Sequence, residues 1–266
     1  MKERKVSHMP YDDDFYMESV ELDIFLLEAN EELNNRLNSV KIKMMEESAP
    51  DDESNIYLEA TENAFLKFIQ KIIKKIKEIA EAAKNKFKDF IKKKQLESQL
   101  KAFAKEYGDN KARYQGKTIR FFDQRKYTKQ CMEYINEVKR LSKDMMKKKF
   151  KSVDEWQEFE IKMQNKANRK YLAVVEDIGT FTDVVEINRV YDEYKDIIGI
   201  YDKYNNMITK ACEDVVNGMK DSVNDSDKTS VNIATRFINN FTHSVNLMIN
   251  NLTRGCFTNV SGLRLH

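Results

Sequence analysis

Proline and glycine are scarce in this chain, 2 and 7 of 266 residues, where average composition supplies roughly 5% and 7%. Folds built from strands and tight turns need both to punctuate them, so the shortage argues against an all-β protein. Histidine is thin as well: His8, His243 and His266 are scattered. An imidazole that binds metal or moves protons comes with a positioned carboxylate or a second ligand, and His243 has no acidic residue within one helical turn on either side. Cys131, Cys212 and Cys256 are too widely spaced, and odd in number, for a disulfide framework or a zinc site, and read as reduced thiols.

Longer signals are missing too. No apolar run approaches the roughly 20 residues that span a bilayer. The N-terminus, charged through Lys5 and Asp12 to Asp14, has no apolar secretory segment. Secretion by a signal peptide is therefore not expected, and the sequons at Asn224, Asn240, Asn251 and Asn259 read as incidental. There is no Gly-rich phosphate loop, HExxH pair or nucleophile elbow. Glu176, Asp177, Asp183 and Glu186 could be grouped as an acid pair or cation site, but in a chain so rich in carboxylates the choice is arbitrary. The expectation is no enzyme, no catalytic residue, no cofactor and no metal.

What the chain does have is charge, 34% of residues, laid over long 3.6-residue periodicity, which favours elongated helices with one buried side. The clearest case runs from Ala64 to Tyr107. Phe65, Ile69, Ile72, Ile76, Ile79, Ala83, Phe87, Phe90, Leu96, Leu100, Phe103 and Tyr107 trace one stripe, widened by Phe68, Ile73, Ala80 and Ile91, with lysines on the other side. Such a helix needs its apolar side covered.

The charge is unevenly spread. Residues 1–60 hold 6 Lys/Arg against 16 Asp/Glu, a balance of −10; residues 61–151 hold 27 against 11, a balance of +16; the remainder carries −4. An acidic head beside a basic middle can pair internally, or each can meet an oppositely charged partner. The basic helix accordingly has three readings. The leading one is a packing helix with solvated lysines. In the second, Lys92, Lys93, Lys94, Lys147, Lys148 and Lys149 neutralise nucleic-acid phosphates without reading sequence. In the third the stripe lies on a membrane surface, a role weakened by the absence of Trp there and by the length of the stripe.

The elements follow in order. A first helix over about 17–45 carries Val20, Ile24, Leu27, Leu33, Leu37, Val40 and Met44 inward, and residues 46–54 form an acidic linker. Thr61 or Asn63 caps the long helix and Gly108 ends it. A loop leads to a short extended stretch at 118–122, then a helix over about 123–149. Ser152 and Glu155 have capping-box spacing and open a helix through Trp156 to Val175, ending near Gly179. Another helix spans about 182–219, and a last one about 228–253 stops at Gly255. These elements predict an all-α, elongated bundle of about five to six helices with coiled-coil-like packing. Its division is an acidic leader at 1–60, loosely attached or processed, and a bundle domain at 61–266.

Two segments echo each other: Phe25-Leu26-Leu27-Glu28-Ala29-Asn30 and Ile56-Tyr57-Leu58-Glu59-Ala60-Thr61. Each places a Leu-Glu-Ala step, the second just ahead of the basic helix. Over residues 20–100 this layout resembles virion, head-associated structural proteins of large tailed bacteriophages of low-GC bacteria. The resemblance implies a non-enzymatic structural protein that acts through protein–protein contacts with other virion proteins or with itself, assembled in the host cytoplasm. It also implies processing by a maturation protease after Glu28, ahead of Ala29, or after Glu59, ahead of Ala60. Leu26-Leu27-Glu28 fits the cleavage pattern of such phages, while Tyr57 departs from it.

Overall fold

The computed structural model describes residues 12–46, 53–93, 96–147, 178–220 and 228–262, with isolated positions at 154, 155, 158, 161 and 174. Seven α-helices and one two-stranded sheet make up these residues: α1 (Asp12–Glu46), α2 (Glu53–Lys93), α3 (Leu96–Asp109), β1 (Thr118–Phe122), α4 (Gln124–Lys147), β2 (Thr182–Glu186), α5 (Ile187–Lys195), α6 (Ile197–Asn217) and α7 (Lys228–Gly262). The protein is all-α in class. The helix proposed from Ser152 to Val175 and the loop at 221–227 lie outside the described residues.

α7 is the centre. At about 1.5 Å per residue its 35 residues run roughly 50 Å, and buried side chains occupy nearly every side of it, from Val231 and Ala234 to Cys256 and Val260. α1, α2, α4 and α6 pack around it. The direction of each follows from paired residues. Lys77, Ala80, Lys84 and Phe87 of α2 meet Glu213, Asn205, Asp202 and Tyr201 of α6 in that order, so α2 and α6 are antiparallel. Tyr127 and Tyr134 of α4 reach Met248 and Ser244, so α4 runs antiparallel to α7.

The stripe read from α2 is the core. Phe65, Phe68, Ile69, Ile72, Ile76, Ala80, Ala83, Phe87 and Ile91 are buried, while Ile73, Ile79 and Phe90 lie at its margin. α1 joins the same core, but in a different phase from the expected one: Leu22, Leu26, Ala29, Leu33 and Leu37 are buried, whereas Ile24 and Leu27 face solvent. Both phases share Leu33 and Leu37. Small Ala29 carries little weight in a hydrophobicity reading, yet it is buried in the row that faces the core.

Four boundaries also differ from expectation. α2 starts at Glu53, upstream of Thr61 and Asn63. Gly108 lies within the last turn of α3 and has no left-handed backbone; among described glycines only Gly116, at φ 75°, does. The helix expected over 182–219 begins as a strand and then breaks at Asp196 between α5 and α6. Gly255 does not stop α7, which continues to Gly262.

The strand at 118–122 is found where expected. Its partner, β2, pairs with it antiparallel from Thr118↔Glu186 to Phe122↔Thr182, 60 to 68 residues away in the chain. One end of β1 is fixed by α7: the Phe122 N–H donates to Asn259 Oδ1 at 2.6 Å, and Asn259 Nδ2 donates to the Phe122 carbonyl at 2.9 Å. A buried side-chain amide thus satisfies both backbone groups that a further strand would otherwise bond. α4 starts immediately after, with Asp123 Oδ1 accepting from the Lys126 N–H at 2.8 Å as an N-cap.

Candidate functional site

Two of the residues singled out by the Leu-Glu-Ala steps, Glu28 and Ala60, meet at the seam between α1 and α2. Antiparallel packing of the two helices leaves a groove of about 640 Å³, lined on α1 by Glu28, Glu31, Glu32, Asn35, Arg36 and Ser39, and on α2 by Ala60, Asn63, Ala64 and Lys67. A second, smaller hollow of about 250 Å³ lies along the same seam and shares Glu28 and Glu32. Glu28 is exposed at the groove, whereas Ala29, the next residue, is buried against the core. Ala60 is half-buried in the opposite wall. Glu59 lies in α2. Both steps are therefore helical, and the bond after Glu28 sits in the middle of α1.

The seam is held by charge as well as by packing. Lys71 of α2 donates to Glu32 of α1, which also accepts from Arg36 one turn on. Those hydrogen bonds from Lys71 and then Arg36 hold the Glu32 carboxyl below its ordinary pKa. Lys75 lies 5.0 Å from the centre of the Phe25 ring. On the other side, Asp23 of α1 faces His243 of α7 at 3.4 Å, and Asn30 accepts from Asn239 at 3.0 Å. The carboxylate missing from the sequence neighbourhood of His243 thus arrives from a helix some 220 residues earlier. No local signal could have found it.

The lysines of α2 are largely committed to their own molecule. Lys77 pairs with Glu213, Lys84 and Lys88 with Asp202, and Lys74 with Glu78. Exposed pairs like these contribute little stability each, but they account for much of the basic side of the helix. Of the six lysines considered for phosphate contact, Lys92 is exposed near the end of α2. Lys93 and Lys147 lie in helices, and Lys94, Lys148 and Lys149 fall outside the described residues. Among the described residues, the helix ends that carry Lys92 and Lys147 lie apart. α2 ends where Phe90 meets Phe257, close to where Asn259 holds Phe122 and α4 begins. From there α4 carries Lys147 away by roughly 35 Å, at 1.5 Å per residue.

Other groups are placed but not assembled. Asp183 and Glu186 are both exposed on β2, and an offset of three puts them on opposite faces of the strand; Glu176 and Asp177 lie outside the described residues. No three His, Cys, Asp or Glu side chains are arranged to hold a metal among the described residues. No described helix is long and apolar enough to cross a membrane. Asn251 and Asn259 are buried, so a glycan at either sequon is incompatible with the fold.

All three thiols are fully buried. Burial pushes Cys131 up to about 12, and Cys212 and Cys256 well above the ordinary thiol value near 9. The folded state therefore holds the neutral thiol, while an unfolded chain ionises near 9. Stability from this source is complete below about pH 9 and is lost as pH rises towards about 12. Tyr127, Tyr194 and Tyr201, also raised by burial, act in the same direction. Circular dichroism should accordingly show alkaline unfolding with its onset above about pH 9. A thiol reagent at about pH 8 should label none of the three cysteines until denaturant is added. Rapid labelling of the native protein would contradict their placement.

No protein-family model, curated protein or solved structure matches the chain.

Proposed function

We propose that the chain is a head-associated structural component of a phage virion, working through protein–protein contacts, with the segment ahead of Ala29 or Ala60 removed during assembly. The observation that supports this reading is the shared groove: Glu28 and Ala60, one from each Leu-Glu-Ala step behind the resemblance, line it from opposite walls. Proteases take their substrates as extended chain, and a helix satisfies its backbone groups internally. On this reading each cut is made before α1 docks, or after an assembly partner has lifted it. Mass spectrometry of virions purified from the phage that encodes the chain is the test. The chain should be present, with a new N-terminus at Ala29 or Ala60. Its absence from particles would sink the proposal, and an intact Met1 would remove the processing step.

A second reading, association with nucleic acid, draws on the solvent side of α4, where Arg125, Lys126, Lys129, Lys139 and Lys143 are exposed. It requires retention on DNA or RNA that weakens steeply with salt, as counterion release loses its advantage. Retention that is absent or indifferent to salt disposes of it.

A further inference from the structure

Large apolar side chains standing in solvent are few among the described residues, and two of them, Ile24 and Leu27, are 54% and 69% exposed side by side on α1. Their neighbours at helical spacing are carboxylates. Glu21 precedes Ile24 by three positions, Glu28 follows it by four, and Glu31 follows Leu27 by four; all three are exposed. Glu28 and Glu31 also form part of the groove wall, across from the small side chains Ala60 and Ala64. The arginine in the groove, Arg36, is already held by Glu32, which leaves Lys67 across the seam as the remaining cation of that lining.

An apolar centre rimmed by carboxylates matches an apolar stripe flanked by Lys and Arg. Two copies of this surface would instead set carboxylate against carboxylate, which disfavours self-pairing. We infer that the outer side of α1, with the adjoining α1–α2 groove, is a docking surface for a basic amphipathic helix of a partner protein. The partner's apolar side covers Ile24 and Leu27, and its cations meet Glu21, Glu28 and Glu31. This is the helix-in-groove mode, in which a third helix rides on two others. The inference does not depend on the virion reading: a chain absent from particles could still bind such a helix, and a virion protein could fail to.

The test uses the full-length protein titrated into a fluorescein-labelled synthetic helix of Leu and Lys, about 18 residues and roughly 27 Å long. A peptide of the same composition, scrambled so that it has no apolar side, and a Leu/Glu helix serve as comparisons. Saturable 1:1 binding of the Leu/Lys helix is expected, weakened at least about tenfold by Glu28→Lys with Glu31→Lys and several-fold by Leu27→Gln. The Leu/Glu helix should not bind. These side chains are exposed, so the variants should melt like the parent, which separates lost docking from lost folding. Equal binding of the scrambled peptide, or unchanged affinity in the variants, would overturn the inference. So would a dimer of the parent protein that Leu27→Gln dissolves, since a second copy would then be the occupant.

Discussion

Replacing Ile76 with Asp is expected to remove most of the protein's stability. Ile76 is fully buried midway along α2, where the helix faces α1, α6 and α7. Truncating a branched apolar side chain in a closed core costs about 2–5 kcal/mol. The new carboxyl adds about 1–3 kcal/mol as a buried polar group without a partner. Together these rival the whole stability of an ordinary domain, about 5–15 kcal/mol. The signature should depend on pH in a defined direction. Burial raises the pKa of the introduced carboxyl in the folded state, so the folded chain favours the protonated form. The variant should regain part of its stability as pH falls from neutrality towards the ordinary aspartate value near 4, and lose it as pH rises. Gln70→Asp, at an exposed position of the same helix, should melt within a few degrees of the parent. An Ile76→Asp protein that also melts like the parent would mean that the stripe is not buried.

That prediction could be written from the sequence, because nine of the apolar residues at three- and four-residue steps between Phe65 and Ile91 are buried as a single row. Periodicity reports which side of a helix needs cover. It does not report what supplies the cover, and the features that escaped a sequence reading are those set by distant partners. Thr182 to Glu186 was readable as the first turn of a helix through Val185 and Ile187; it is a strand because Thr118 to Phe122 lies alongside it. On α1 the choice between an Ile24–Leu27 row and a Leu22–Leu26–Ala29 row is nearly even by hydrophobicity alone, and contact with α2 and α7 decides it. The same holds at the candidate site. Glu28 and Ala60 are recognisable as members of similar steps, but their meeting across one groove follows from the antiparallel return of α2 along α1. The Asp23–His243 pair likewise needs the docking of α1 on α7.

Gly255 shows the same limit, and it gives the second large effect. Near the end of a helical pattern a glycine reads as a terminator, and inside a helix it reads as a weak point that Ala should improve by about 1 kcal/mol. The structure requires the opposite outcome for Gly255→Ala. A Cβ at this position would lie 2.3 Å from Cδ1 and Cε1 of Phe122, so the aromatic ring packs directly on the backbone of α7. The ring has little room to retreat. Phe122 is fully buried, with Tyr127 and Phe181 at 5.3 and 6.5 Å between ring centres. Its own backbone N–H and C=O are held by Asn259, one turn along the same side of α7. Overpacking of this kind costs about 1–3 kcal/mol or more, and a rigidly held ring belongs at the upper end. Gly255→Ala should therefore lower the melting temperature despite its better helix propensity. The decisive measurement is its sign in a second background. With Phe122→Ala the three obstructing atoms, Cγ, Cδ1 and Cε1, are all gone, and Gly255→Ala should become neutral or stabilising in that background, a coupling of about 2 kcal/mol between the two sites. A substitution that stabilises the parent protein just as much would show that nothing presses on Gly255, and the seating of β1 on the central helix would have to be redrawn.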